Sequence, residues 1–331
     1  MRGHREVPKN PPVAARTFRL LHYKQGAPVS PLEYALAGIC IKETRGTVPP
    51  FIGGSHPQIA SKETLPRWLG ILSVALLFVA SVVSTKAQEA IPPTSEELGA
   101  ITERGRLLNE YDQAAWHASD AVQMANPKNV EGQRYIARKE SGKWIVVFGK
   151  LNEDRNQFEV SYEADEQATL RQFVVRQEPA ERQDEGFFLH AARAIELAMK
   201  DIGTANRPYN VAVLAAPAEQ LYVYLYPAQT KARVYPLGGD VRYLVGPDGT
   251  KILEKRQMHK SIIENEPAKK IKKVVAGYHT HVLSDLPEDT DVFHVLTQDP
   301  PVPEMVITAN FMYQVKADGT IQIEENRKRK K

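Results

Sequence analysis

Apolar residues recur along the chain first at helical spacing and then at strand spacing, and the changes of period mark out the elements. Leu98, Ile101, Leu108, Ala115 and Val122 share one face of a long helix that runs to Ala125. Thr94-Ser95-Glu96-Glu97 forms a capping box at its start, with Thr94 as N-cap and Glu97 three residues on, and Asn126-Pro127 closes it. The stripe is rich in small residues, which suits packing on a sheet or on a second copy of the chain.

Residues 132–177 then read as a small β-meander. Tyr135–Lys139 and Lys143–Lys150 are joined through Glu140-Ser141-Gly142, a hairpin signal. Phe158, Val160 and Tyr162 alternate with polar residues, and Leu170–Arg176 gives a fourth strand. The charged stretch Glu178–Glu185 reads as a linker. Phe188, Ile195, Met199 and Ile202 return to helical spacing over about 186–202, and Gly203 stops that helix. After Pro208 the period becomes two. Strands are expected at Val211–Ala215, at Leu221–Tyr226, and at Val234–Val245 with a bulge at Gly238-Gly239. More follow after the turn Gly246–Gly249, at Thr250–Leu253, Ile271–Tyr278, Met305–Thr308, Phe311–Val315 and Ile321–Ile323. Glu254–Asn265 reads equally as a strand extension or a short helix, and a short helix begins near Asp289. The whole is an α+β arrangement: a mostly antiparallel sheet flanked by helices, preceded by the long helix and meander. Two units are expected, 88–180 and 181–326, followed by a basic tail, 327–331.

Charge and composition narrow the class. The 331 residues carry a net charge of +3. The excess of cations lies in residues 1–64 and in the tail Arg327–Lys331, and the body between is acidic. A nucleic-acid binder carries a basic face, so none is expected as partner. Residues 65–87 have the three-part form of an export signal. Lys62 and Arg67 give a basic start, Leu69–Val83 an apolar run, and Ser84-Thr85-Lys86-Ala87 a small-residue cleavage site. The alternative is an uncleaved anchor helix, which Trp68 at one end would suit, and this would be the only membrane contact. Both place the body outside the cytoplasm. Residues 1–64, rich in Pro, Gly and Arg, are expected to be a disordered or mis-annotated extension. The only cysteine, Cys40, lies there, so the body has neither disulfides nor thiolate ligands.

Chemistry gathers in Val274–Val295. An apolar run through Tyr278 delivers His279 and His281, two apart and therefore on one face of a strand, and Asp285, Glu288, Asp289 and Asp291 crowd alongside. Imidazoles and carboxylates so placed supply part of a metal site. The plain alternative is a pair of surface histidines at a strand end. His117 on the first helix and His190 on the second suit surface or core positions. His259 suits a structural role, or reaches the site if 254–264 packs beneath it.

Ala276-Gly277-Tyr278 followed by His279-Thr280-His281 resembles the strand ending of the JAMM (JAB, MPN-plus) zinc isopeptidases, whose signature is an upstream Glu, then His-x-His, seven residues, and Ser-x-x-Asp. The resemblance covers about residues 186–323. Counting seven residues past His281 reaches Asp289; allowing one fewer puts Glu288 in the Ser place and Asp291 in the Asp place. The resemblance then implies His279, His281 and Asp291 as ligands of Zn²⁺. Glu219 is implied as the carboxylate base, with Glu254 and Glu264 as rivals. Two imidazoles and a carboxylate leave an open position where a zinc-bound water falls to a pKa of about 7. His294, three residues after Asp291, shares its helical face and suits an outer partner. Glu288 cannot donate to an oxyanion as the family's Ser does unless protonated, and Ser284 is the nearest substitute.

Two functions are expected from this. One is an exported JAMM-like zinc hydrolase cleaving a peptide or isopeptide bond of an envelope or extracellular protein. The other is an inert relative, a binding or scaffolding module of the envelope, compatible with a homodimer.

Overall fold

The computed structural model describes residues 90–125, 132–264 and 274–324. The expectations for residues 1–64, the export signal at 65–87 and the tail at 327–331 fall outside them. The long helix α1 (Ser95–Met124) begins with the expected capping box: the Glu97 N–H donates to Thr94 Oγ1 at 3.2 Å and the Thr94 N–H to Glu97 Oε2 at 2.8 Å. The meander follows as β1 (Arg134–Glu140), β2 (Lys143–Leu151), β3 (Phe158–Glu166) and β4 (Phe173–Asp184), antiparallel in that order.

The stretch expected as a linker is the second half of β4. Beyond a register shift it pairs with β3, Val160 opposite Arg182 and Phe158 opposite Asp184. Its charge belongs to an edge strand, where charged side chains deter pairing with another chain. Asp184 then caps the next helix, its Oδ1 accepting the Phe188 and Leu189 N–H groups at 3.0 and 3.2 Å.

That helix, α2 (Phe187–Ile202), leads to β5 (Tyr209–Ala215), β6 (Leu221–Pro227), β7 (Leu237–Gly238), β8 (Val241–Val245), β9 (Ile252–Gln257) and β10 (Ile262–Ile263). The single strand expected over 234–245 is two, because Gly238 and Gly239 both take positive φ and turn the chain between them. β7 pairs with β10, whereas β8 joins the sheet β5-β6-β8-β9. Glu254–Asn265 thus resolves as strand to Gln257 and again at Ile262–Ile263. Then come β11 (Gly277–Thr280), α3 (Asp289–Thr297), β12 (Glu304–Ile307), β13 (Met312–Val315) and β14 (Ile321–Glu324), forming a third four-stranded sheet. Its β11–β12 pair is parallel, with α3 in the crossover. The fold is α+β, and beyond the meander the single sheet expected is divided into three among the described residues.

Three apolar clusters hold these parts together. Leu108, Tyr111 and Ala115 of α1 pack with Trp144 and Phe148 of the meander, Tyr224 and Tyr226 of β6, and Phe293 of α3. Ala191, Ala194 and Ile195 of α2 fill the space between Ile136, Val147 and Phe158 and the inner face of Val223 and Tyr243. Leu98 and Ile101, at the start of α1, meet Val292 and Val295 of α3 and Val306, Tyr313 and Val315 of the third sheet. Each of the larger aliphatic and phenylalanine side chains taken fully from water contributes about 1.5–3 kcal/mol. α1 therefore runs beneath both the meander and the helix that carries Asp291.

Candidate metal centre

The strand alternation of β11 places its residues as the sequence implied. His279 and His281 are buried, at 4% and 7% exposure, while Tyr278 and Val282 stand out in solvent. The parallel register sets Gly277 opposite Glu304 on β12. The Glu304 side chain lies over Gly277 so closely that a Cβ there would come within 1.9 Å of its Oε2. From that position Glu304 Oε1 reaches His279 Nδ1 at 3.0 Å. The glycine before the histidines is thus the space through which a carboxylate orients the first of them.

His281 is held by its backbone, whose N–H donates to the Ile307 carbonyl at 2.8 Å, and by its ring, whose Nδ1 faces the Leu286 carbonyl at 2.8 Å. Ser284 donates its hydroxyl to the same carbonyl at 2.8 Å and to Glu288 Oε1 at 3.0 Å. Asp291 is the third residue of α3, fully buried, and its Oδ2 accepts the Glu288 N–H at 2.7 Å. The one-residue deletion in the motif spacing is therefore accommodated at a helix start, with Glu288 turned away to Arg256 at 2.7 and 3.0 Å.

A third histidine completes the group. His259 follows β9, and Asp240, 1% exposed, accepts its backbone N–H at 3.1 Å and faces its Nδ1 at 2.8 Å. Its Nε2 lies 2.9 Å from His281 Nε2 and 3.0 Å from Asp291 Oδ1. Further edges are 3.0 Å from His279 Nε2 to His281 Nε2, 3.1 Å from His279 Nε2 to Asp291 Oδ1, and 3.2 Å from His281 Nε2 to Asp291 Oδ2, and the four residues' ligand atoms all lie within 4.8 Å of one another. His259, His279, His281 and Asp291 are the cluster able to hold a metal ion among the described residues. Ligands about 2.0 Å from a tetrahedral zinc stand about 3.3 Å apart, close to these edges.

The hydrogen bonds decide what the nitrogens offer. A carbonyl can only accept, so His281 Nδ1 carries a proton; the Asp240 and Glu304 carboxylates draw the protons of His259 and His279 to Nδ1 likewise. Each neutral ring then turns an Nε2 lone pair towards one point, together with a carboxylate oxygen. Lone pairs about 3 Å apart repel unless a cation or added protons lie between them. Three imidazole nitrogens and one carboxylate oxygen suit Zn²⁺ and its borderline neighbours.

Without a metal, protons take that role. Burial opposes a charge on His259, but the Asp240 and Asp291 carboxylates outweigh it and carry its pKa up to about 11. At His279 burial is likewise overcome, by hydrogen bonds to Asp291 and Glu304, and the pKa rises to about 9. Burial alone would raise Asp291; the charge and hydrogen bond of His259 and the hydrogen bonds of the other two rings hold it well below the usual carboxylate range.

His279, His281 and Asp291 are thus brought together, and Glu219 is not. It sits exposed at positive φ in the β5–β6 turn. The strand registers put that turn beyond the Leu221–Val245 end of its sheet, whereas His259 follows the opposite, Val241–Gln257 end. A carboxylate there cannot serve as base. Glu254 is exposed on β9, and Glu264 pairs with Arg207 at 2.8 Å. His294 is half-buried on α3, its pKa lowered by burial, and adds no ligand. Asp285 accepts from Asn310 Nδ2 at 2.7 Å. His259 and Glu304 are the members that the motif did not reveal.

No family model matches the chain, and no curated protein or solved structure is significantly similar to it. The site is accordingly defined by its geometry: a buried His₃Asp cluster of the kind that holds a metal, in an α+β fold. Among the described residues no helix is long and apolar enough to cross a membrane.

Proposed function

We propose that the chain is an exported, zinc-stapled binding or scaffolding module, built on a JAMM-like ligand set whose coordination is closed by His259. The observation that carries this reading is the fourth donor. His259 Nε2 stands 2.9 Å from His281 Nε2 and 3.0 Å from Asp291 Oδ1, where a hydrolytic zinc keeps a position for water. The nearby carboxylates are already engaged, Glu304 with His279, Asp240 with His259 and Glu288 with Arg256, so none is free to activate a water. When bound, the metal would join three parts of the fold directly: the end of β9, the β11 strand and α3. The acidic charge of the body disfavours a nucleic-acid partner, so the partner proposed is a protein or peptide. The leader at 65–87 favours export.

A second reading, a JAMM-like zinc hydrolase acting on a peptide or isopeptide bond, is favoured by one feature. His279, His281 and Asp291 meet in the family's order, beneath exposed apolar residues that include Tyr278 and Val282. Anion binding to the cobalt-substituted chain separates the two. With four protein donors, the visible spectrum of the parent should not change on adding azide. His259→Ala should open a position, so azide then alters the spectrum. Its metal affinity should fall by more than the roughly 10–100-fold typical of losing an outer partner. A parent spectrum that responds to azide, together with cleavage of peptide substrates by the zinc form, would sink the closed reading in favour of the hydrolase.

A further inference from the structure

We propose that Arg104, on the long N-terminal helix, is a positioning residue for the metal centre: through Asp289 it sets where the ligand Asp291 stands. This rests on the metal centre described above. Asp289 is the first residue of α3 and its side chain is 1% exposed. Arg104 donates its Nε–H to Oδ1 at 2.9 Å, and its Nη2 lies 2.9 Å from the same oxygen. Tyr224 donates its hydroxyl to Oδ2 at 2.9 Å, and Arg242 pairs with the same oxygen. The adjacent Glu288 takes Arg256 and Ser284. Donors from α1, β6, β8, β9 and the loop after β11 thus fix two consecutive carboxylates, and Asp291 follows two residues later with its own Oδ2 on the Glu288 N–H.

Charge balance alone does not call for this arrangement. Carboxylates in a first helical turn are favoured by the helix dipole without any cation, and burying an ion pair costs desolvation that its attraction scarcely repays. Arg104 closes on Oδ1 while Tyr224 and Arg242 hold Oδ2, so the Asp289 carboxylate is fixed at both oxygens and a directed guanidinium bond sets the place of the first. The backbone contact agrees. α1 crosses α3 at Gly105, where an added Cβ would lie 2.5 Å from Val292 Cβ and 2.6 Å from the Asp289 carbonyl oxygen. The residue beside Arg104 therefore bears on the same residue that Arg104 holds. Metal ligands must stand within about 0.5 Å of their place, so a nine-residue helix that shifts at its first turn loses the site.

The test is zinc affinity of the full chain, read by competition with a chromophoric chelator, with the visible spectrum of the cobalt form beside it. Arg104→Met keeps the apolar stem and removes the guanidinium. Its zinc affinity should fall about 10–100-fold and its cobalt spectrum should change as Asp291 moves. Arg104→Lys should recover part of the loss, since a point charge keeps the ion pair but not the directed guanidinium geometry. Lys139→Met breaks the exposed pair with Glu110 elsewhere on α1 and should leave both readings at the parent's values. If Arg104→Met does not fold, Asp289→Asn, which keeps the shape and loses the charge, gives the same reading. Parent-like zinc affinity and cobalt spectrum in Arg104→Met, or in Asp289→Asn where that is used, overturn the proposal. A parent that binds no metal overturns the centre itself; a parent that binds alongside an unaffected Arg104→Met overturns only the positioning.

Discussion

Asp291→Ala is expected to abolish metal binding and to cost the fold about 3–5 kcal/mol, the scale of breaking a buried charge pair by removing one partner. Asp291 is fully buried and faces three imidazoles at 3.0–3.2 Å, while its second oxygen caps α3 through the Glu288 N–H. Alanine removes the one carboxylate that all three rings face, leaving only Asp240 and Glu304 on the outer sides of His259 and His279. Asp291→Asn retains an acceptor for the Glu288 N–H but loses the charge, so it should keep more of the stability while still losing the metal. Urea unfolding and bound zinc per chain check the two halves separately. Zinc retained by the alanine variant would remove Asp291 from the ligand set.

The second large effect is that of stripping the metal. A ligand that binds only the folded chain stabilises it by about 4 kcal/mol at a thousandfold excess over its Kd, so a chelator should lower the thermal midpoint markedly. The stripped chain should also respond to pH with a definite sign. His259 and His279 have pKa values raised to about 11 and about 9 in the folded state. Their protonated forms therefore stabilise the fold fully below the unfolded value of about 6.5, and that contribution fades as pH rises through about 9 to about 11. Asp291 is held below its ordinary value, so its contribution is present above about pH 4 and fades as pH falls further. Between about pH 4 and about pH 6.5 all these contributions are present, so the stripped protein should be firmest there. The metal-loaded protein should behave oppositely on the acid side, since protons compete with the metal for the same nitrogens. Thermal scans from pH 5 to 10 with and without chelator check both trends; a stripped protein that gains stability towards pH 10 would contradict the assigned protonation.

What could be read from the chain and what could not follows the range of the interactions. Period two placed His279 and His281 on one face, and the resemblance to the JAMM spacing, with one residue fewer, put Asp291 beside them. Both are local signals. Glu304 reaches His279 only through the parallel β11–β12 register, which is set across the α3 crossover and leaves no short-range pattern. His259 is a lone histidine at a strand end, and its partner Asp240 lies across the β8–β9 pair. Glu219 was misplaced for the same reason. Sequence order puts it on the strand after a helix, but the hairpin registers decide which end of the sheet it occupies. The charged half of β4 looked like a linker because an edge strand can be polar on both faces. Gly277 was visible in the motif, yet its purpose appears only when the Glu304 carboxylate is seen over it.

Zinc K-edge X-ray absorption of the loaded chain tests the central claim most directly. Four nitrogen or oxygen neighbours at about 2.0 Å, with the multiple scattering of three imidazoles, are predicted for the parent, falling to two imidazoles in His259→Ala. Two imidazoles and a bound water in the parent, or no tightly bound metal at all, would contradict a centre closed by His259.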